Sequence, residues 1–293
     1  MPLANALAGL FIIFLWVIRW LLNKEAGVKG CKSSDVSLSN SVWTVASAFI
    51  VVIFFWNKEF VPFFTQDKNY LFPIFMSVVR GVAVYRMVLE FARIANRSLS
   101  SGVFISTSAF PIGSLAVMIF FGEQLTPIDV ISVIIIGIVG FVFFIKGHGK
   151  YLTRDEKLAY LTIVTCVTLC MVSNRVTAVG YSWAVHFSVS TLTWMIVAVG
   201  VKFFKNFKTQ KPDFSILANR TLIMLGAVYM TGEVFFMYSM QNIFNAVVVP
   251  ITFMTAATPI TMTIGSLKYK EGNWKEQLIF GLCIIIPVIM IIL

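Results

Sequence analysis

Charge is scarce in this sequence. Asp, Glu, Lys and Arg make up 12% of its 293 residues, whereas apolar and aromatic side chains make up 58%, and mean hydropathy is +0.88. A water-soluble domain carries charge over its surface, about a quarter of its residues, so that class is excluded. Histidine is limited to His148 and His186, and the four cysteines, Cys31, Cys166, Cys170 and Cys283, lack metal-ligand spacing. A zinc centre therefore has no support, and the i,i+4 pair Cys166/Cys170 is accounted for by packing. No HExxH, paired-aspartate or nucleophile motif is present, so neither an enzyme nor a cofactor is expected. Acidic residues are also few, 13 against 23 basic ones, for a formal net charge of +10. The lysines fall between apolar runs instead of on an aromatic-interleaved face, which argues against nucleic acid and for a lipid bilayer as the partner.

What fills the sequence is long hydrophobic runs. A bilayer core takes about 20 apolar residues per helix, because each residue rises about 1.5 Å. Windows of that kind fall at 3–22, 40–56, 71–92, 98–121, 127–145, 157–179, 183–204, 221–241, 245–267 and 277–293. The first is read as a retained helix and not a cleaved signal, because it contains Arg19 and lacks a small-x-small site. The expected fold is an all-α integral membrane protein with ten transmembrane helices.

The polar linker from Lys146 to Lys157 lies at the midpoint and separates residues 1–146 from 147–293, five helices from five. Shifting the sequence by 148 positions superposes Thr107 on Thr255, Ala109 on Ala257, Pro111 on Pro259, Ile112 on Ile260 and Glu123 on Glu271. Both halves thus read mid-helix proline, twelve steps, glutamate. Five is odd, so successive halves insert with opposite orientation, the inverted repeat of many secondary transporters. Basic residues crowd alternate loops, from Lys24, Lys29 and Lys32 through Arg93 and Arg97 to Lys268, Lys270 and Lys275. The intervening loops hold Lys58, Lys68 and Arg175. By the positive-inside rule the crowded side is cytoplasmic and both termini lie outside.

The segment Glu90 to Phe144, with the preceding Arg80-Gly81, resembles the first-half core of the drug/metabolite transporter superfamily, EamA branch. Arg80-Gly81 matches its arginine-glycine opening and Ser100-Ser101-Gly102 its run of small residues. Pro111 matches its mid-helix proline, and Gly122-Glu123-Gln124-Leu125-Thr126-Pro127 the junction before the fifth helix. Pro259 and Glu271 match the second copy. Asn40-Ser41-Val42-Trp43 stands where many relatives carry an arginine. The resemblance implies a ten-helix EamA-type carrier of solutes such as amino acids, nucleosides, adenosine-containing metabolites or amphipathic drugs. It also implies cytoplasmic termini, opposite to the charge rule.

Charges inside apolar spans cost about 2.5–3.5 kcal/mol each on insertion scales and mark a cavity or a partner. Arg80, Arg86 and Glu90 lie in the third window, with Arg86 and Glu90 four apart on one face. They are either a packing ion pair or the wall of a polar cavity. Glu233, in the eighth window, has Tyr229, Phe236 and Met237 as its helical neighbours and needs a partner from another helix. Under the 148-residue shift it falls opposite Tyr85, which points to the Arg86 region. It reads as a proton carrier or cation ligand, or as one half of a structural contact with arginine. The candidate substrate-binding set is Arg80, Tyr85, Arg86, Glu90, Tyr229 and Glu233. His186 reads as a structural histidine.

An arginine fork suits carboxylate or phosphate, so the expected function is secondary-active transport of a small zwitterionic or anionic metabolite by alternating access. The expected setting is the bacterial inner membrane, as a monomer or homodimer, with a coupled proton or an exchanged metabolite as further partner. The alternatives are a lipid-linked sugar or amphipathic-lipid translocator of the same fold, and a multidrug or amino-acid exporter.

Overall fold

The computed structural model describes residues 3–66, 69–97, 99–121, 126–147, 154–206, 215–244, 246, 248–271 and 274–292. Among these there is no strand. Ten long helices are joined by short links: α1 (Leu3–Val28), α2 (Ser33–Phe55), α4 (Leu71–Arg97), α5 (Leu99–Phe121), α6 (Pro127–Gly147), α7 (Arg154–Ser173), α8 (Trp183–Asn206), α9 (Arg220–Asn242), α10 (Val248–Tyr269) and α11 (Trp274–Ile292). A π-helical turn, Trp56–Phe60, leads from α2 into the short helix α3 (Val61–Gln66), and a second, Asn174–Ser182, joins α7 to α8.

Among the described residues, five helical stretches are long and apolar enough to cross a membrane: Ala4–Val28, Ser33–Thr65, Leu71–Ala95, Lys157–Phe204 and Arg220–Asn242. Many large apolar side chains are left uncovered, among them Ile53, Phe54, Leu71, Ile119, Phe120 and Phe204. The interior, conversely, holds hydroxyls and charges. That inversion of a soluble protein's distribution is the mark of an α-helical membrane protein, in which lipid solvates the outer surface.

Several helix ends differ from the apolar windows. α1 runs on to Val28 instead of ending near 22, because its polar last turns find partners. Lys24 pairs with Glu271 at 2.6 Å, and Glu25 meets Lys268 Nζ and the Tyr269 hydroxyl at 3.3 Å. α2 begins at Ser33 instead of 40 because its hydroxyls are bonded internally or to neighbours: Ser39 to the Leu222 carbonyl, Thr44 to the Asn40 carbonyl, and Ser37 from the Trp194 indole N–H. The stretch after Ser173 turns back in the π-helical segment, so Arg175 sits in the turn and not in a straight helix.

The helices pack in a recurring pattern. α1 lies against α9 and α10 as α7 lies against α4 and α5; α2 packs on α9 as α8 packs on α4; α5 pairs with α6 as α10 pairs with α11. Small residues bring them close, as lipid supplies no hydrophobic drive to associate. Pro111 and Pro259 lack the N–H that would bond the carbonyls of Thr107 and Thr255. At both places a glycine of the following helix fits against the ring: a methyl at Gly137 would stand 3.2 Å from Pro111 Cβ, and one at Gly281 would stand 2.7 Å from Pro259 Cβ. α5 and α10 meet through the Thr107 and Thr258 hydroxyls, 2.9 Å apart.

Candidate functional site: a buried arginine–glutamate cluster

Three helices that are distant in sequence bring three charges together. Glu233 of α9 accepts from Arg80 of α4 on Oε2 at 2.7 Å and from Arg19 of α1 on Oε1 at 3.3 Å. All three are buried, at 6% exposure for Arg19, 4% for Arg80 and 7% for Glu233. Taking each group as ionised, the cluster carries one net positive charge. Charges so far from water persist only when paired and hydrogen-bonded, and the surroundings supply both.

Arg80 is held at every nitrogen. Nε donates to Asn174 Oδ1 at 2.8 Å, Nη1 to Ser190 Oγ at 3.0 Å, and Nη2 to Glu233. Asn174 opens the π-helical turn, and Ser190 lies on α8 beyond it, so the reversal there places both on one guanidinium. Gly81 makes the approach possible. Any Cβ at that position would collide with the Ser190 carbonyl oxygen and Thr193, which gives the arginine-glycine pair a steric reason.

The network continues to His186. Because Arg80 Nε can only donate, it fixes Asn174 with its carbonyl oxygen toward the cluster, and the 3.0 Å contact from His186 Nε2 is then a donated N–H. His186 Nδ1 meets the Ser77 hydroxyl at 2.8 Å. His186 therefore acts as a fully engaged structural residue, and Ser77, His186 and Asn174 brace Arg80 from behind.

Arg19 is held differently. Its guanidinium carbon lies 3.4 Å from the Tyr229 ring centroid and 4.1 Å from that of Trp16. Such cation–π contacts contribute about 0.5–2 kcal/mol, more when water is excluded. Tyr229 in turn packs on Trp194, and Trp16 on Phe110.

Of the expected site residues, Arg80, Tyr229 and Glu233 come together here. Arg86 and Glu90 form a second cluster: Glu90 takes Arg86 Nη2 at 2.9 Å and Arg93 Nε at 2.9 Å, all on α4. Glu233 thus finds its partners in Arg80 and Arg19, not Arg86, because Arg80 is the α4 arginine buried inside the bundle. The Arg86 side chain is 49% exposed. Tyr85 is buried in the apolar core. Sequence reasoning passed over Arg19, Asn174, Ser190 and Trp16 as site residues. Arg19 did carry a signal, since it and Glu233 are lone opposite charges in long apolar runs.

At one end of the molecule the helix termini are tied by charge. Lys24 pairs with Glu271, whose Oε2 also accepts the Leu99 N–H at 2.7 Å, capping α5. Lys202 pairs with Asp35 at 3.2 Å, and Lys29 donates to Thr221 Oγ1 at 2.8 Å. Hydrogen bonds to Tyr269 and Glu25 hold the Lys268 ammonium above the ordinary lysine value. The other end is tied by Glu59 to Ser182 and by Gln241 to the backbone of Tyr181 and Trp183. Glu123, the sequence counterpart of Glu271, lies outside the described residues. Among those described, no cluster of His, Cys, Asp and Glu could hold a metal ion.

No protein-family model matches this sequence, and no curated protein does. Fifteen chains of solved structure resemble it. One, described only as the crystal structure of a protein, superposes with a TM-score of 0.67 over 98% of this chain and 96% of its own, at 13% identity. The likeness is one of fold. The chain therefore shares its architecture nearly end to end with a solved protein.

Proposed function

We propose that this chain is a secondary-active transporter moving a small polar metabolite, zwitterionic or anionic, across a membrane by alternating access. One observation carries the reading: a buried, net-positive Arg19–Glu233–Arg80 cluster formed where α1, α4 and α9 meet. In this cluster the arginines as well as the glutamate are buried, so the positive charge left over is not solvated by water and an anionic group would complete it. The cluster draws on both sequence halves, so relative movement of the halves would remake it.

Ten spans arranged as two inverted five-helix repeats, 1–146 and 147–293, accord with the recurring packing and with the glycine-packed prolines in corresponding places. The motifs resembling the EamA branch of the drug/metabolite transporters point the same way. The inner membrane of a bacterium is the proposed setting, with the lysine-rich end in the cytoplasm. Transport, not catalysis, is proposed, with a proton or a second metabolite as the coupled species.

A second reading, translocation of an amphipathic lipid or lipid-linked sugar, is favoured by a side cleft of about 430 Å³ lined by Phe11, Ile50, Phe55, Trp183, Val234 and Tyr238. It lies between α1, α2 and α9 and is almost wholly apolar, as an acyl chain requires.

The test is a thermal-shift screen of purified protein against amino acids, nucleotides and organic acids, followed by uptake of each hit into proteoliposomes. A ligand that binds the folded state raises the unfolding temperature by mass action. Saturable uptake, accelerated by the same compound inside, supports the carrier. Non-saturable flux contradicts it, and uptake competed by lipid analogues moves the assignment to the second reading.

A further inference from the structure

The two arginines that share Glu233 are not equivalent. Every nitrogen of the Arg80 guanidinium donates to a protein oxygen, and Asn174, which helps hold it, is itself pinned by His186. Arg19 reaches the same carboxylate through Nη1, at 3.3 Å against 2.7 Å for Arg80. What fixes Arg19 is ring faces. Tyr229 and Trp16 pack on the guanidinium and orient its plane, so its fork is preorganised while its hold on Glu233 is the longer of the two.

We propose that Arg19 is the anion-binding group of the site: it receives the acidic group of the substrate while Glu233 stays with Arg80. The proposal rests on the transport reading above and sharpens its substrate class. Two guanidinium charges and one carboxylate leave a charge of one. A monoanion divides the cluster into two neutral pairs, substrate with Arg19 and Glu233 with Arg80. A dianion overshoots. A zwitterion leaves the excess charge in place and adds an ammonium whose nearest carboxylate is already bound. The substrate class is therefore a small organic acid with one negative charge, carboxylate or singly ionised phosphate, which a guanidinium binds through two parallel N–H bonds. Trp16 and Tyr229, which already lie against the guanidinium, would flank its carbon skeleton.

The experiment is counterflow into phosphatidylethanolamine/phosphatidylglycerol proteoliposomes with radiolabelled lactate and benzoate, inorganic phosphate, alanine and glutamine, and succinate. The monoanions are expected to move in preference to the zwitterions and the dianion, and the carboxylate and phosphate arms separate those two chemistries. Arg19→Lys keeps the charge and loses the planar fork, so monoanion uptake falls about tenfold or more through KM, while Arg154→Lys, exposed at the start of α7, transports as wild type. Wild-type uptake by folded Arg19→Lys overturns the assignment and leaves the transport reading intact. If Arg19→Lys does not fold, the wild-type selectivity decides, and a preference for zwitterions or succinate overturns the proposal. Movement of none of the probes overturns the transport reading on which it stands.

Discussion

Two clusters in this molecule have the same composition, two arginines on one glutamate, and opposite construction. Arg86, Glu90 and Arg93 lie on a single helix at i,i+4 and i,i+3 spacing, with the arginine side chains 49% and 39% exposed. Arg19, Glu233 and Arg80 come from α1, α9 and α4, and their side chains are 9% exposed or less. The first forms whenever α4 forms, and it costs little because its cations stay partly solvated. The second exists only when the bundle is assembled, and none of its members is tolerable in lipid alone. A cluster that local spacing cannot make, and that burial makes expensive, calls for a purpose beyond helix formation; that is the ground for placing the site there.

The contrast can be broken at its strongest point by Glu233→Gln. This leaves two buried guanidinium groups without a counter-ion, and removing one partner of a buried ionic cluster costs about 3–5 kcal/mol. A large fall in unfolding temperature and loss of uptake are expected; unchanged values for both would remove the cluster from the account. Gly81→Val should come next. Its side chain separates α4 from α8 and so draws Arg80 away from Ser190, with overpacking of this kind costing about 1–3 kcal/mol. Substituting Glu271 by Ala removes both the partner of Lys24 and the cap on Leu99, a loss of about 1–2 kcal/mol. Smallest of all is Arg86→Ala. Arg86 is half-exposed and Arg93 stays against the buried Glu90, so the loss is expected below about 1 kcal/mol, the melting curve barely moves and most uptake remains. Parity between Arg86→Ala and Glu233→Gln would erase the distinction between the clusters.

The same contrast marks what could be read from sequence. Apolar windows located the long helices because hydrophobicity is a local property, and the Arg86–Glu90 pair was visible because helical spacing is too. Helix ends were misjudged where polar residues are satisfied at a distance: Lys24 by Glu271, Glu25 by Lys268, Ser39 by the Leu222 carbonyl. The partner of Glu233 was placed on the wrong arginine for the same reason, since six residues along α4, about 9 Å of rise, separate Arg80 from Arg86 and only the helix packing selects between them. Asn174 gave no signal, because its role depends on a π-helical reversal that apolar periodicity passes over.

The central claim is that the cluster assembled from three helices, and not the half-exposed one local to α4, handles the solute. Its most direct test is a matched pair, Glu233→Gln and Glu90→Gln, compared for uptake in proteoliposomes at equal amounts of folded protein. The account predicts that Glu233→Gln abolishes saturable uptake while Glu90→Gln retains most of it. Equal loss in both variants, or full uptake in Glu233→Gln, would contradict it.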